Sequence, residues 1–85
     1  MQHIKILIVD DDARFREILR GILSDDPDLE VIGEAVRGET GILLAGKLKP
    51  DVVLMDIRMP GMNGLEATRL LKKDMPDLRT IMLTI

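Results

Sequence analysis

The chain predicts a doubly wound α/β fold, a parallel sheet with helices on both faces. Three observations carry that prediction. Residues 6–9, 52–55 and 81–83 are short apolar runs without polar alternation, the pattern of strands buried on both faces of a parallel sheet. Segments of helical spacing lie between them, giving the succession β-α-β-α-β-α-β, whose right-handed crossovers put helices on both faces. Each run also ends in an acid or a hydroxyl: Asp10, Asp11 and Asp12 after the first, Asp56 after the second, Thr84 after the third. In an open parallel sheet the C-terminal strand ends share one edge, where ligand sites form. Residues far apart in sequence are therefore expected to meet.

Each element has its own signal. After the first strand, Phe15, Ile18, Leu19, Ile22 and Leu23 recur at helical spacing, with Arg14, Arg16, Glu17 and Arg20 between them. Asp12 suits the N-cap of this helix. Its end is expected near Ser24-Asp25-Asp26-Pro27, because proline disfavours helix in the residue before it. Residues 29–35 read as a second strand with Leu29, Val31 and Gly33 on one face. Residues 38–48 read as a second helix, weakened by Gly41 and Gly46. Lys49-Pro50-Asp51 punctuates before the third strand, and Met59-Pro60-Gly61-Met62-Asn63-Gly64 is a loop by its proline and glycine content. A third helix is expected over 64–74, stopped by Met75-Pro76-Asp77, and a fourth strand over 80–84.

Composition narrows the function classes. Eighty-five residues make one small domain at most. Phe15 is the single aromatic residue, so the core must be aliphatic. Without cysteine there is neither a disulfide framework nor a thiolate metal site. The apolar runs are strand-length, too short to span a membrane, and Asp10 arrives too early for a secretory signal's apolar region. A cytoplasmic protein is the expectation. A formal charge of −3 offers no basic footprint for nucleic acid.

The chemistry is expected at Asp10, Asp11, Asp56 and Thr84. Three carboxylates packed together repel one another unless a cation joins them or their pKa values rise. That is the outline of a magnesium and phosphoryl site. Asp12 is read as a cap in preference to a ligand. Met59, Met62 and Met75 are read as packing or loop residues, and Lys72-Lys73 as a solvated helix end complementing the dipole. His3 lies at the opposite end of the first strand and is given no phosphotransfer role.

Three segments in order, Ile8-Val9-Asp10-Asp11-Asp12, then Leu54-Met55-Asp56-Ile57-Arg58-Met59-Pro60-Gly61-Met62-Asn63-Gly64, then Leu83-Thr84, resemble the receiver domain of bacterial two-component response regulators. Val31-Ile32-Gly33-Glu34-Ala35, with Gly38-Glu39 and Lys49-Pro50-Asp51, looks most like the LuxR/FixJ-type, NarL-like transcriptional subgroup. The resemblance implies a flavodoxin-like sheet of strand order 2-1-3-4 and a signalling domain, not an enzyme. It implies that Asp56 is the phosphoacceptor, which attacks a phosphohistidine supplied by a sensor histidine kinase. Asp10 and Asp11 would hold Mg²⁺ with Asp56 and the backbone carbonyl of Arg58, whose side chain is then free to vary. Thr84 would bond a phosphoryl oxygen and shift on activation.

The departures are equally informative. The resemblance covers residues 1–85 but only about the first two-thirds of a complete receiver, whose size sits near the usual ~100–150-residue domain mode. The lysine and aromatic residue that the family places on a fifth strand have no counterpart, and neither Lys5, Lys72 nor Lys73 stands in the right place. The sequence therefore reads as cut after its fourth strand, with self-association along that strand's exposed edge expected. DNA would be reached only through a C-terminal domain outside these 85 residues, and no membrane contact is expected. The principal rival is a truncated, non-signalling assembly module pairing through the fourth strand. A phosphohydrolase is disfavoured, since Arg58 stands where such enzymes place a general acid.

Overall fold

The computed structural model describes residues 3–83. Its element order is β1 (Ile4–Val9), α1 (Ala13–Ser24), β2 (Leu29–Ala35), α2 (Gly38–Leu48), β3 (Val52–Asp56), α3 (Gly64–Asp74) and β4 (Arg79–Leu83). The strands form one sheet of order β2-β1-β3-β4, parallel throughout. Helix and strand boundaries fall where the caps and prolines place them. Two strands start earlier than expected. β1 begins at Ile4, two residues before its apolar run, because Ile4 and Lys5 already pair with Leu29 and Glu30. β4 begins at Arg79 instead of residue 80 because Arg79 pairs with Val52 and its N–H donates to the Asp51 carbonyl at 3.3 Å. Thr84 lies outside the described residues.

The sheet separates two apolar layers. On one face Leu7, Val9, Val53 and Met55 meet Ala45 of α2 and Ala67 and Leu71 of α3, joined by Met59 and Leu78. On the other face Ile6, Ile8 and Leu54 meet Leu19 and Leu23 of α1, with Leu29 and Val31 of β2. Residues of opposite parity along β1 thus serve opposite faces, and the core is aliphatic as the composition requires. The methionines act as packing residues: Met59 is buried, while Met62 and Met75 pack against the larger layer. On α1 the predicted apolar stripe is only partly engaged, with Ile18 and Ile22 exposed.

Strand β2 departs from simple alternation. Ile6 pairs with Val31, yet the next residue, Leu7, pairs with Gly33, so Ile32 is an extra residue against β1. Such an irregularity shifts the pleat by one residue. Leu29 and Val31 accordingly face the α1 layer. Gly33, expected beside them, lies against Leu7 and Leu48 on the other face, where an added Cβ would come within 2.8 Å of Leu48 Cδ1. The same shift brings Glu34 to the α1 side, where it reaches Arg16. Lys72 also differs from expectation. It is not simply a solvated helix end: its Nζ donates to the Leu78 carbonyl at 2.6 Å and so ties the end of α3 to the start of β4.

Candidate phosphoryl and metal site

β1 and β3 are adjacent and parallel, with Val9 opposite Met55, so Asp10 and Asp56 emerge side by side at the C-terminal edge. Asp11 follows at the turn into α1. One carboxylate oxygen from each of Asp10, Asp11 and Asp56 lies within 4.8 Å of the others. They line a cavity of about 370 Å³ together with Asp12, Ile57, Arg58 and Leu83. Of the residues expected to converge, the structure brings these three acids together and places Arg58 in the wall. His3 stands apart, in a cleft with Lys5, Glu30 and Asp51.

The acids differ in environment. Asp10 is 3% exposed, the buried charged residue among those described. Burial pushes its carboxyl above the ordinary value of 3.8; the Asp12 N–H opposes this, while Asp56, Asp11 and Asp12 reinforce it by charge repulsion. Asp10 Oδ1 accepts the Asp12 N–H at 2.8 Å, and its own N–H makes the last bond beyond the strand, to the Ala35 carbonyl at 3.0 Å. Asp56 is half-buried and Asp11 exposed. Asp56 Oδ1 accepts the Arg58 N–H at 3.1 Å, a local turn that sets the carboxylate's orientation. Asp12 is the N-cap of α1: its Oδ1 accepts the N–H groups of Arg14 at 2.9 Å and Phe15 at 3.2 Å.

Three hard oxygen donors, Asp10 and Asp56 at the strand ends and Asp11 at the turn into α1, fit Mg²⁺, which prefers carboxylate, carbonyl and water oxygens. The same donors exclude a soft-metal site, and nothing but a cation or proton relieves their mutual repulsion.

Two features of the site escaped sequence reasoning. Gly64 starts α3 directly against the Asp56 backbone: a Cβ there would stand 2.1 Å from the Asp56 carbonyl oxygen, and the Gly64 N–H donates to the Ile57 carbonyl at 3.1 Å. Its place at the end of the proline-glycine loop was the available signal, but a loop reading cannot disclose such close approach. Arg16 and Glu34 form the second. Arg16 Nε bonds Glu34 Oε1 at 3.0 Å and Arg16 Nη1 donates to the Asp10 carbonyl at 2.6 Å. In sequence Arg16 is one of several charged residues on α1, and only the irregularity in β2 aims Glu34 at it.

A sheet of this order with an acidic pair after β1 and a lone aspartate ending β3 defines a receiver-type signalling domain. The family model for the response regulator receiver domain matches residues 6–85, and the chain belongs to that family. It is 48% identical over 82 residues to the response regulator GacA of Pseudomonas aeruginosa, covering 96% of this chain and 38% of that protein. In structure it resembles the response regulator domain of Thermotoga maritima CheB, with a TM-score of 0.91 and 44% identity over 95% of this chain and 60% of that one. A LuxR-family response regulator from Aurantimonas matches with a TM-score of 0.91 and 31% identity, over 95% and 58% of the two chains. The chain thus spans well under half of GacA. The domain is a signalling module, not a classical enzyme. No helix among the described residues is long and apolar enough to cross a membrane.

Proposed function

We propose that this chain is the phosphoacceptor part of a response regulator, with Asp56 as the residue phosphorylated by a sensor histidine kinase. The observation that supports it most is the convergence of Asp10, Asp11 and Asp56 within 4.8 Å at one sheet edge. An Asp56 oxygen attacks the phosphorus of a phosphohistidine; the P–N bond breaks, the imidazole leaves and takes up a proton, and an aspartyl phosphate remains. Asp10, Asp11, Asp56 and the Arg58 carbonyl are the proposed Mg²⁺ ligands. Bound there, the ion would offset charge on the transferred group. The Arg58 N–H holds Asp56 Oδ1 in place, and the Asp12 N–H does the same for Asp10 Oδ1. Thr84, following Leu83 of the cavity wall in sequence, is the proposed phosphoryl-binding hydroxyl.

In the whole protein the aspartyl phosphate would relay a signal to an output domain. A cytoplasmic, LuxR/FixJ-type regulator binding DNA through that output domain is the finer proposal. Likeness to the LuxR-family structure supports it, whereas the higher identity to a CheB domain shows that the receiver alone does not select the output. A second reading, an assembly module that self-associates along β4, is favoured by Ile81, which is 53% exposed on that strand. It offers no reason for burying Asp10 beside two further acids. Labelling by acetyl phosphate in the presence of Mg²⁺ tests the proposal. Asp56→Asn should abolish it, and undiminished labelling of that variant would refute it.

A further inference from the structure

We propose that Arg16, clamped by Glu34, is a positioning residue that sets the geometry of the Asp10-Asp11 pair for a divalent cation. This rests on the metal-binding reading above and adds residues outside the acidic cluster. Sheet pairing of β1 ends at Val9, and only the Asp10 N–H continues across, to Ala35. The Asp10 carbonyl is taken by Arg16 Nη1 at 2.6 Å, while Arg16 Nε is fixed on Glu34 at 3.0 Å. The Asp10 carbonyl and the Asp11 N–H belong to one planar peptide unit. Holding the oxygen therefore fixes the direction in which Asp11 leaves the strand. Asp10 itself is held at three points: its N–H by Ala35, its carbonyl by Arg16 and its side chain by the Asp12 N–H.

The clamp is itself braced. The Arg16 and Glu34 side chains are 15% and 23% exposed, and Glu34 Oε2 also accepts from Arg20 Nη1. A guanidinium presents Nε and Nη donors in a rigid fork, so it can bridge a carboxylate and a carbonyl at once, which the point charge of lysine cannot. Charge alone argues in the opposite direction. A cation beside a cation site repels the incoming ion, so removing it should tighten binding. Positioning predicts weaker binding, and the sign of the effect separates the two.

Mg²⁺ affinity is measured by calorimetry on the unaltered chain and on Arg16→Ala, Arg16→Lys and Asp11→Asn, with circular dichroism confirming the fold of each. Arg16→Ala should weaken binding by about tenfold, the usual scale for residues that orient metal ligands. Arg16→Lys, which retains the charge and loses the fork, should stay weakened. It also serves as the decisive variant if Arg16→Ala fails to fold. Unchanged or tighter Mg²⁺ binding in a folded Arg16→Lys or Arg16→Ala variant overturns the inference. If Asp11→Asn loses binding while the Arg16 variants keep it, only this inference falls. If the unaltered chain binds no Mg²⁺, the metal-binding reading falls with it.

Discussion

Replacing Asp10 by asparagine should make the metal-free protein more stable at neutral pH. Asp10 is buried, and its carboxylate oxygen lies within 4.8 Å of oxygens of Asp11 and Asp56. At that separation each pair of like charges costs about 3.5 kcal/mol at an effective dielectric of ~20 and about 0.9 kcal/mol in bulk water. Asp11 is exposed and Asp56 half-buried, so each pair lies toward the lower figure. Asparagine retains the oxygen that accepts the Asp12 N–H, so little is lost in exchange. A net gain of about 1–2 kcal/mol follows, and each kcal/mol is worth about 4–8 °C in Tm for a domain of this size. The sign with pH is fixed by the raised native pKa of Asp10. The folded protein holds this proton more tightly than the unfolded chain, so stability falls as pH rises from the ordinary 3.8 through the native value. The advantage of Asp10→Asn should therefore be full at neutral pH and vanish below that window. Thermal melts with a chelator present, at neutral and acid pH, test this. A variant less stable than the parent at neutral pH, or equally favoured at acid pH, would refute the reasoning.

Three further outcomes follow from the same geometry. Gly64→Ala drives a Cβ against the Asp56 carbonyl and should cost about 3 kcal/mol in urea unfolding, with loss of Mg²⁺ binding; a change under about 0.5 kcal/mol, the range of ordinary surface substitutions, would contradict it. Asp12→Ala removes the acceptor for two N–H groups of α1 and should cost about 1 kcal/mol in the same assay. Glu34 is held below its ordinary 4.5, first by its hydrogen bond to Arg20 and, against the cost of burial, by Arg16. Its stabilisation is present above 4.5 and lost as pH falls through the lowered native value. Acid titration of stability should therefore be shallower in Glu34→Gln, and parallel curves would count against the ion pair.

Much of this architecture is legible in the sequence because its elements are locally consistent. Prolines at 27, 50 and 76, the cap at Asp12 and the proline-glycine loop over 59–64 punctuate short apolar runs, so the succession of strands and helices follows. The acids are legible for a topological reason: parallel strands deliver their C-terminal ends to one edge, whatever the sequence distance between them. What was not legible depends on contacts that periodicity does not encode. The extra residue Ile32 in β2 has no signature of its own, and it moves Gly33 to one face and Glu34 to the other. Arg16 on α1 and Lys72 on α3 look like solvated charges until their carbonyl partners, Asp10 and Leu78, come into place. Gly64 reads as a loop glycine until the Asp56 backbone lies against it.

The central claim is that Asp56 carries the phosphoryl group. An aspartyl phosphate is an acyl phosphate, so hydroxylamine converts it to a stable hydroxamate that peptide mass spectrometry can locate. After incubation of the protein with acetyl phosphate and Mg²⁺, the hydroxamate should map to Asp56, depend on Mg²⁺ and disappear in Asp56→Asn. A hydroxamate on Asp10, Asp11 or any other acid, with Asp56 unmodified, would contradict the account.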